Sequence, residues 1–549
     1  MKLKLAAALL ASAVAMPAQA DVLVDNVSGI TIDENGEIKR FSALVIDDDG
    51  KVAQLLERGE EAPRTDYRED GEGRVMLPGF IDAHGHVSGI GFSALTLDLS
   101  GTNSLEEALE AIRVFAEENE ARPWILGRGW NQEKWGLGRF PTAAELDSVV
   151  SDRPVYLARV DGHAGWANSL AMKAAGVTEK SVSPSGGRIE TLADGKTPSG
   201  VFVDAAEELM TKAIPAPRPV ERDLALAEAQ KVLHAQGITA MADMGTTIED
   251  WQAFRRAGDN GSLTLRIMAY AAGPEQMVLI GGSGPSPWLY DDKLRLNGIK
   301  LYLDGALGSR GAWLKEPYAD DPHNTGLPLT PPAALRNILV RAAQGGFQPA
   351  VHAIGTAANA EALNAISEIA ESFDGDRRWR IEHVQIVDPA DLPKLAEHGI
   401  ISSMQPVHQT SDMFMAEARL GPDRLDGAYA WNTILQLGGR LAFGSDAPVE
   451  SANPFAGLAV AITRANAEGE PFGGWRPSES VSREQALAGF TSEAAFAGFA
   501  EGRFGRLLPG ERADFVLVDV DPLVDTPDQI RNTTVLETWV GGRKVYEAD

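Results

Sequence analysis

The sequence predicts an α/β protein built on a closed (β/α)8 barrel, and three observations carry that expectation. Eight short apolar segments recur between residues 74 and 449, helix-like stretches separate most of them, and both chain ends read instead as short strands. An open doubly wound sheet is the alternative, but the chain shows no Gly-rich nucleotide turn after a strand.

In chain order, "MKLKLAAALLASAVAMPAQA" comes first. Lys2 and Lys4 precede an apolar run, Leu5 to Met16, and Ala18-Gln19-Ala20 forms a small-x-small site. This is the pattern of a cleaved secretory signal peptide over residues 1–20, so a periplasmic or secreted protein is expected. No later stretch approaches the ~20 apolar residues of a membrane span.

Residues 21–74 read as strands, with Asp49-Gly50 as a two-residue hairpin turn. The far end, 505–549, has the same texture, with "ADFVLVDVD", "VLETWVGGRKVYE" and a Gly541-Gly542 turn. The two ends are expected to pair into one small sheet domain. Between them, 75–504 carries the barrel segments: "RVMLPGFIDAHGHV", "GITAMADMG", "LRIMAYAAG", "GIKLYLDG", "FQPAVHAIG", "RWRIEHVQI", "GIISSMQPVH" and "RLAFGSDAPV". Residues 92 to about 220 are too long for one crossover and predict an inserted subdomain.

Composition narrows the function. The chain has 549 residues, 44% of them hydrophobic and 23% charged, which suits a globular protein. A net charge of -28 would repel phosphate backbones, so a nucleic-acid partner is not expected. The absence of cysteine excludes disulfides, thiolate catalysis and cysteine-ligated metals.

Nine histidines remain to be explained. In a strand, His84 and His86 project to one face, about 7 Å apart, and can converge on one ion. Alone the pair is a weak signal, equally readable as two core histidines. The rest of the chain strengthens it. His352 ends the fifth segment, His383 lies near the end of the sixth, Asp446 ends the eighth, and Lys300 stands in the apolar fourth. Barrel strands converge at their carboxyl ends, so these residues would meet at one mouth. Buried polar groups need partners, and a metal supplies them.

Several motifs then identify a resemblance: "LPGFIDAHGHV", "GWNQEKW", "DGHAGWANSLAMKAAGV", "GIKLYLDGALGSRGA", "AVHAIG", "RIEHVQ", "SMQPVH", "FGSDAPV" and "LLPGERADFVLVDVDP". Together they resemble the amidohydrolase superfamily of metal-dependent hydrolases over essentially the whole mature chain. More narrowly, they are similar to the amidohydrolase family 3 branch that contains N-substituted formamide deformylase. The resemblance implies that the terminal strands form a β-sandwich. It implies two zinc ions, one on His84 and His86, the other on His352 and His383, with a carboxylated Lys300 as bridge. The alternative for Lys300 is an unmodified amine paired with Asp304, in a site that holds a single metal. Asp446 would ligate the first ion and serve as general base and acid while metal-activated hydroxide attacks the substrate. His163 would reach the pocket and hold the carbonyl oxygen, the alternative being a histidine that stabilises its own loop.

Other residues receive weaker assignments. His408 is expected as a substrate contact rather than a ligand. Trp130, Trp135 and Trp166 are expected as a pocket wall or as subdomain core. Glu382, by strand alternation opposite to His383, is expected to be structural. His234, His323 and His398 receive no chemistry.

The leading function is an exported hydrolase of a non-peptide C–N bond in a small amide or N-substituted formamide. Esterase, lactonase or deaminase chemistry on the same site is one alternative, and a non-catalytic metal-binding or regulatory protein another. A carbohydrate-active barrel would need two opposed carboxylates instead. The expected partner is a small-molecule substrate; the oligomeric state, a homo-oligomer included, stays open.

Overall fold

The computed structural model describes residues 20–160, 162, 164–184, 187–373 and 375–548. The expected signal peptide, save Ala20, lies outside the described residues. The chain forms two compact units. The first takes the chain up to Gly85, Leu233–Thr247 and Leu263 onward; the second takes His86–Val232 and Ile248–Ser262. Residues 92–220, expected as an insertion, lie within the second. No helix among the described residues is long and apolar enough to cross a membrane.

Eight parallel strands dominate the first unit: β1 (Phe80–Gly85), β2 (Ile238–Thr246), β3 (Arg266–Ala272), β4 (Leu294–Tyr302), β5 (Gln348–Ala353), β6 (Arg380–His383), β7 (Ile401–Met404) and β8 (Arg440–Phe443). They pair in sequence order, each parallel to the next. This is the (β/α)8 barrel. Its strands are buried almost throughout because both faces are covered, which is why those such as β2 and β3 read as apolar runs rather than alternations. The helix Thr356–Ala370 shows the covering layer: Ala358, Ala362, Leu363, Ala365, Ile366 and Ile369 recur at helical spacing and are buried.

The ring closes between β1 and β8 through a carboxylate rather than a ladder. Asp82 accepts hydrogen bonds from the Ser445 N–H and Oγ, at 2.9 and 2.5 Å, and from the His84 N–H at 3.0 Å. The Asp446 N–H then donates to the His84 carbonyl at 2.7 Å. Burial pushes the Asp82 carboxyl up to about 6, and the Ser445 contacts oppose that rise. At one end of the barrel, Ala494, Ala495, Ala497, Ala500 and Phe504 pack against Ile81, Ala240, Met268 and Ala350.

The terminal segments form two sheets of the first unit. Val75–Pro78 pairs antiparallel with Phe515–Val518, which pairs antiparallel with Val535–Val540. A four-stranded sheet contains Ala43–Asp47 and Val52–Leu56, joined at Asp49-Gly50 as expected. Gly541 and Gly542, at φ 57° and 69°, make the second hairpin turn, a geometry that disfavours other residues. Leu44, Ile46, Met76, Phe515, Leu517 and Trp539 share one core across the sheets. Arg266 on β3 ties the barrel to this domain through a bidentate pair with Asp514, both buried.

The second unit is built on a six-stranded sheet in the order Gly187–Thr191, Pro198–Asp204, Ala164–Ala167, Val155–Arg159, Ile125–Trp130, Leu97–Asp98. Helix Leu105–Glu118 starts where the Ser104 hydroxyl accepts the Glu107 N–H and buries Ala108, Ile112 and Ala116. Trp130 and Trp166 are fully buried with ring centroids 6.2 Å apart, and Trp135 stands 6.4 Å from Trp166. These tryptophans form the core of the unit, the second of the two roles expected for them.

His234 gives the fold a pH dependence. Its Nδ1 lies 3.0 Å from the Ile238 carbonyl and its Nε2 2.9 Å from the Thr264 hydroxyl, so both nitrogens are satisfied in the neutral ring. Burial lowers its pKa to about 4. The folded chain therefore binds fewer protons here than the unfolded chain, whose histidine titrates near 6.5. Stability from this group is complete above about pH 6.5 and declines as pH falls toward 4, by roughly 3 kcal/mol. His234→Gln is expected to flatten that part of the urea-midpoint profile; an unchanged slope between wild type and variant would refute the assignment.

Candidate metal and active site

Six of the polar residues singled out in the sequence lie on the first unit, at or just beyond the ends of β1, β4, β5, β6, β7 and β8. They are His84, Lys300, His352, His383, His408 and Asp446. His84, His383 and Asp446 are all buried and offer ligand atoms within 4.8 Å of one another. The His84 ring lies 4.7 Å from His383, and His383 lies 4.5 Å from His352, centroid to centroid. His84 Nε2 stands 3.5 Å from Asp446 Oδ1 and 3.1 Å from Lys300 Nζ.

The backbone bends to make this meeting. His383 and Asp446 hold φ at 76° and 60°, in the left-handed region that non-glycine residues rarely enter. Such strain concentrates where function demands a particular side-chain direction.

Two of these imidazoles, His84 and His383, are each fixed by a partner on Nδ1. His84 Nδ1 lies 2.6 Å from Glu382 Oε2, and His383 Nδ1 lies 2.8 Å from Gln405 Oε1. Both partners are oxygen acceptors, so Nδ1 carries the hydrogen and Nε2 keeps its lone pair for the site. Glu382 in turn accepts from Arg380 Nε at 2.8 Å and Nη2 at 3.1 Å. The Arg380 charge holds the Glu382 carboxyl far below its ordinary range, against the burial that would raise it.

Glu382 thus belongs to the site, contrary to the expectation from alternation. The turn to positive φ at His383 ends the strand geometry on which that expectation rested, and neighbouring residues 382 and 383 both face His84. An arginine and a glutamate two apart in an apolar segment were the available signal. Gln405 had no sequence signature beyond its place after β7. Glu382→Gln is expected to weaken divalent-metal binding by about 10- to 100-fold, measured by competition with a chelator. Equal affinity would show that the carboxylate does not orient His84.

Burial, with the nearby Lys300 charge, lowers His84 to about 4 and His352 to about 3; burial and the neighbouring His352 hold His383 well below its ordinary value. All three are neutral donors at neutral pH, the form a metal requires. Among the described residues, buried His352 Nε2 has no hydrogen-bond partner; it lies 3.6 Å from Asp304 Oδ1. Asp304 is engaged by the backbone N–H groups of Trp313, Ile354 and Gly355. No hydrogen bond or ion pair joins it to Lys300 among the described residues, against the pairing kept as an alternative. Burial lowers the Lys300 amine to about 8, so a neutral fraction exists near neutrality. The orphaned imidazole nitrogen and the neutral donor set fit a divalent ion such as zinc.

Two expected residues stand apart from this description. His86 opens the second unit, half-buried ahead of helix Val87–Leu95, where its carbonyl accepts the Ile90 N–H. His163 lies outside the described residues.

The chain belongs to the amidohydrolase family, whose model matches residues 69–546. It is 33% identical to Protein LONG AFTER FAR-RED 3 of Arabidopsis thaliana over 96% of this chain and 92% of that one. It is 26% identical to the N-substituted formamide deformylase of Arthrobacter pascens over 96% and 98%. Among solved structures, an uncharacterized metal-dependent hydrolase of Pyrococcus furiosus superimposes with TM-score 0.76 at 28% identity, covering 92% of this chain and all (100%) of that one. Family, fold and the buried His–Asp group together define a metal-dependent hydrolase.

Proposed function

We propose that this protein hydrolyses the C–N bond of a small amide, with N-substituted formamides as the leading substrate class. The observation that carries the reading is the buried His84–His383–Asp446 group with Lys300 and His352 beside it. The formamide assignment is supported by the deformylase, to which the chain is similar over nearly its whole length. As the resemblance implies, His84, His86 and Asp446 would hold one zinc ion and His352 and His383 a second, with Lys300, carboxylated on its amine, shared between them.

Bound zinc supplies acidification of water and polarisation of a carbonyl oxygen. Asp446 Oδ accepts the proton of the attacking water and returns it to the leaving nitrogen, so that an amine departs. Glu382, through His84, and Gln405, through His383, keep the imidazoles in the ligating tautomer. Export to the periplasm or beyond is part of the proposal and rests on the N-terminal residues 1–20.

The test is turnover of three chromogenic probes by the zinc-loaded protein: p-nitroformanilide, p-nitrophenyl acetate and a cyclic amide. Preference in kcat/KM for the formamide supports the reading. Preference for the ester moves the enzyme to esterase chemistry. Turnover of none, in protein that retains zinc, contradicts it and favours a binding protein.

A further inference from the structure

His408 has no part in the metal group, yet it is built into the same site. It lies in the first turn of helix Pro406–Leu420, directly after β7, and is buried. Its ring stacks on His383 at 6.0 Å with an interplanar angle of 20°. The Gln385 amide nitrogen stands 3.3 Å from His408 Nδ1. An amide NH2 can only donate, so Nδ1 must be the acceptor and the ring hydrogen must sit on Nε2. Gln385 is itself buried, and its backbone carbonyl accepts the Tyr429 N–H at 2.7 Å.

Among the described residues, the hydrogen on Nε2 meets no acceptor: Nε2 is buried without a hydrogen-bond partner there. Asp446 Oδ2 is 3.8 Å away, too far for a hydrogen bond, so Nε2 lies beside the proton-accepting carboxylate without pairing with it. A buried donor left unpaired costs free energy that a bound acceptor returns. The acceptor offered by a carbonyl substrate is its oxygen, which gains negative charge as the carbon becomes tetrahedral. A fixed, desolvated N–H aimed at that oxygen stabilises the charge without reorganisation.

We propose that His408 is a catalytic residue, donating its Nε2–H to the substrate carbonyl oxygen, with Gln385 as the positioning residue that fixes its tautomer. No proton is transferred in this step. The inference rests on the hydrolase reading above. It distinguishes His408 from His84 and His383, whose Nε2 atoms carry lone pairs toward the site.

His408→Phe keeps an aromatic ring for the stack and removes the donor. With the zinc-loaded protein and p-nitroformanilide, the expected result is a fall in kcat of about 10²–10³-fold. Zinc content should stay at the wild-type level, and His408→Gln, which restores an N–H, should recover at least tenfold. A kcat within threefold of wild type overturns the proposal. So does loss of zinc in step with activity, which would make His408 a ligand. A second readout needs no turnover: ¹⁵N spectra of histidine-labelled protein, with and without formate. The proposal requires a neutral ring with the hydrogen on Nε2, moved by formate and lost as a single tautomer in Gln385→Leu. A hydrogen on Nδ1 overturns it even if all probes fail, whereas failure of the probes with the Nε2 tautomer intact removes only the amide reading.

Discussion

Asp446→Asn is expected to lower turnover by about 10²–10⁴-fold while leaving the fold intact. The backbone argues for an intact fold. Asp446 sits at φ 60°, and asparagine is among the few residues that accept this region readily. Its N–H bond to the His84 carbonyl does not involve the side chain and survives the change. What disappears is a carboxylate oxygen 3.5 Å from His84 Nε2, the group that accepts the proton. An amide cannot do so. The comparison is made at saturating zinc, so that weaker metal binding is separated from the loss of the base. A variant retaining wild-type kcat would move the proton acceptor elsewhere.

Arg380→Met should be the most damaging single change to stability near the site, costing about 3–5 kcal/mol in urea unfolding. Arg380 and Glu382 are both wholly buried. Besides Glu382, the guanidinium donates to the Ala83 carbonyl at 2.7 Å, to Ser403 Oγ at 3.0 Å and to Tyr270 Oη at 3.1 Å. It therefore links β1, β3, β6 and β7 beneath the imidazoles. Methionine fills similar space but leaves the Glu382 carboxylate charged and desolvated, with His84 as its remaining partner of this set. The double variant Arg380→Met, Glu382→Leu should regain much of the stability, since an apolar pair replaces an ionic one. It should not regain metal affinity, because His84 then lacks its orienting acceptor. Equal stability of wild type and Arg380→Met would show that the pair is not the clamp described.

The sequence made the barrel legible through particular runs. "GITAMADMG" and "LRIMAYAAG" are mostly apolar because a parallel strand is buried on both faces, and they became β2 and β3. His84, His352, His383 and Asp446 could be grouped because strand order alone brings carboxyl ends to one mouth. Glu382 could not, because its role depends on positive φ at His383, which no alternation rule anticipates. Gln385 and Gln405 were silent for another reason. A glutamine that fixes a tautomer differs from a surface glutamine only in what it touches. Trp130 and Trp166 illustrate the reverse case, where residues able to wall a pocket serve as ordinary core.

The most direct measurement is the metal content of protein purified without chelator, by elemental analysis, beside that of His383→Ala. The account predicts bound zinc in stoichiometric amount in the wild type and its loss or sharp reduction in the variant. Two ions per chain, with one lost in Lys300→Ala, would support the shared centre. Wild-type protein that binds no divalent metal, even after incubation with zinc and bicarbonate, would contradict the claim that these buried imidazoles and Asp446 form a hydrolytic centre.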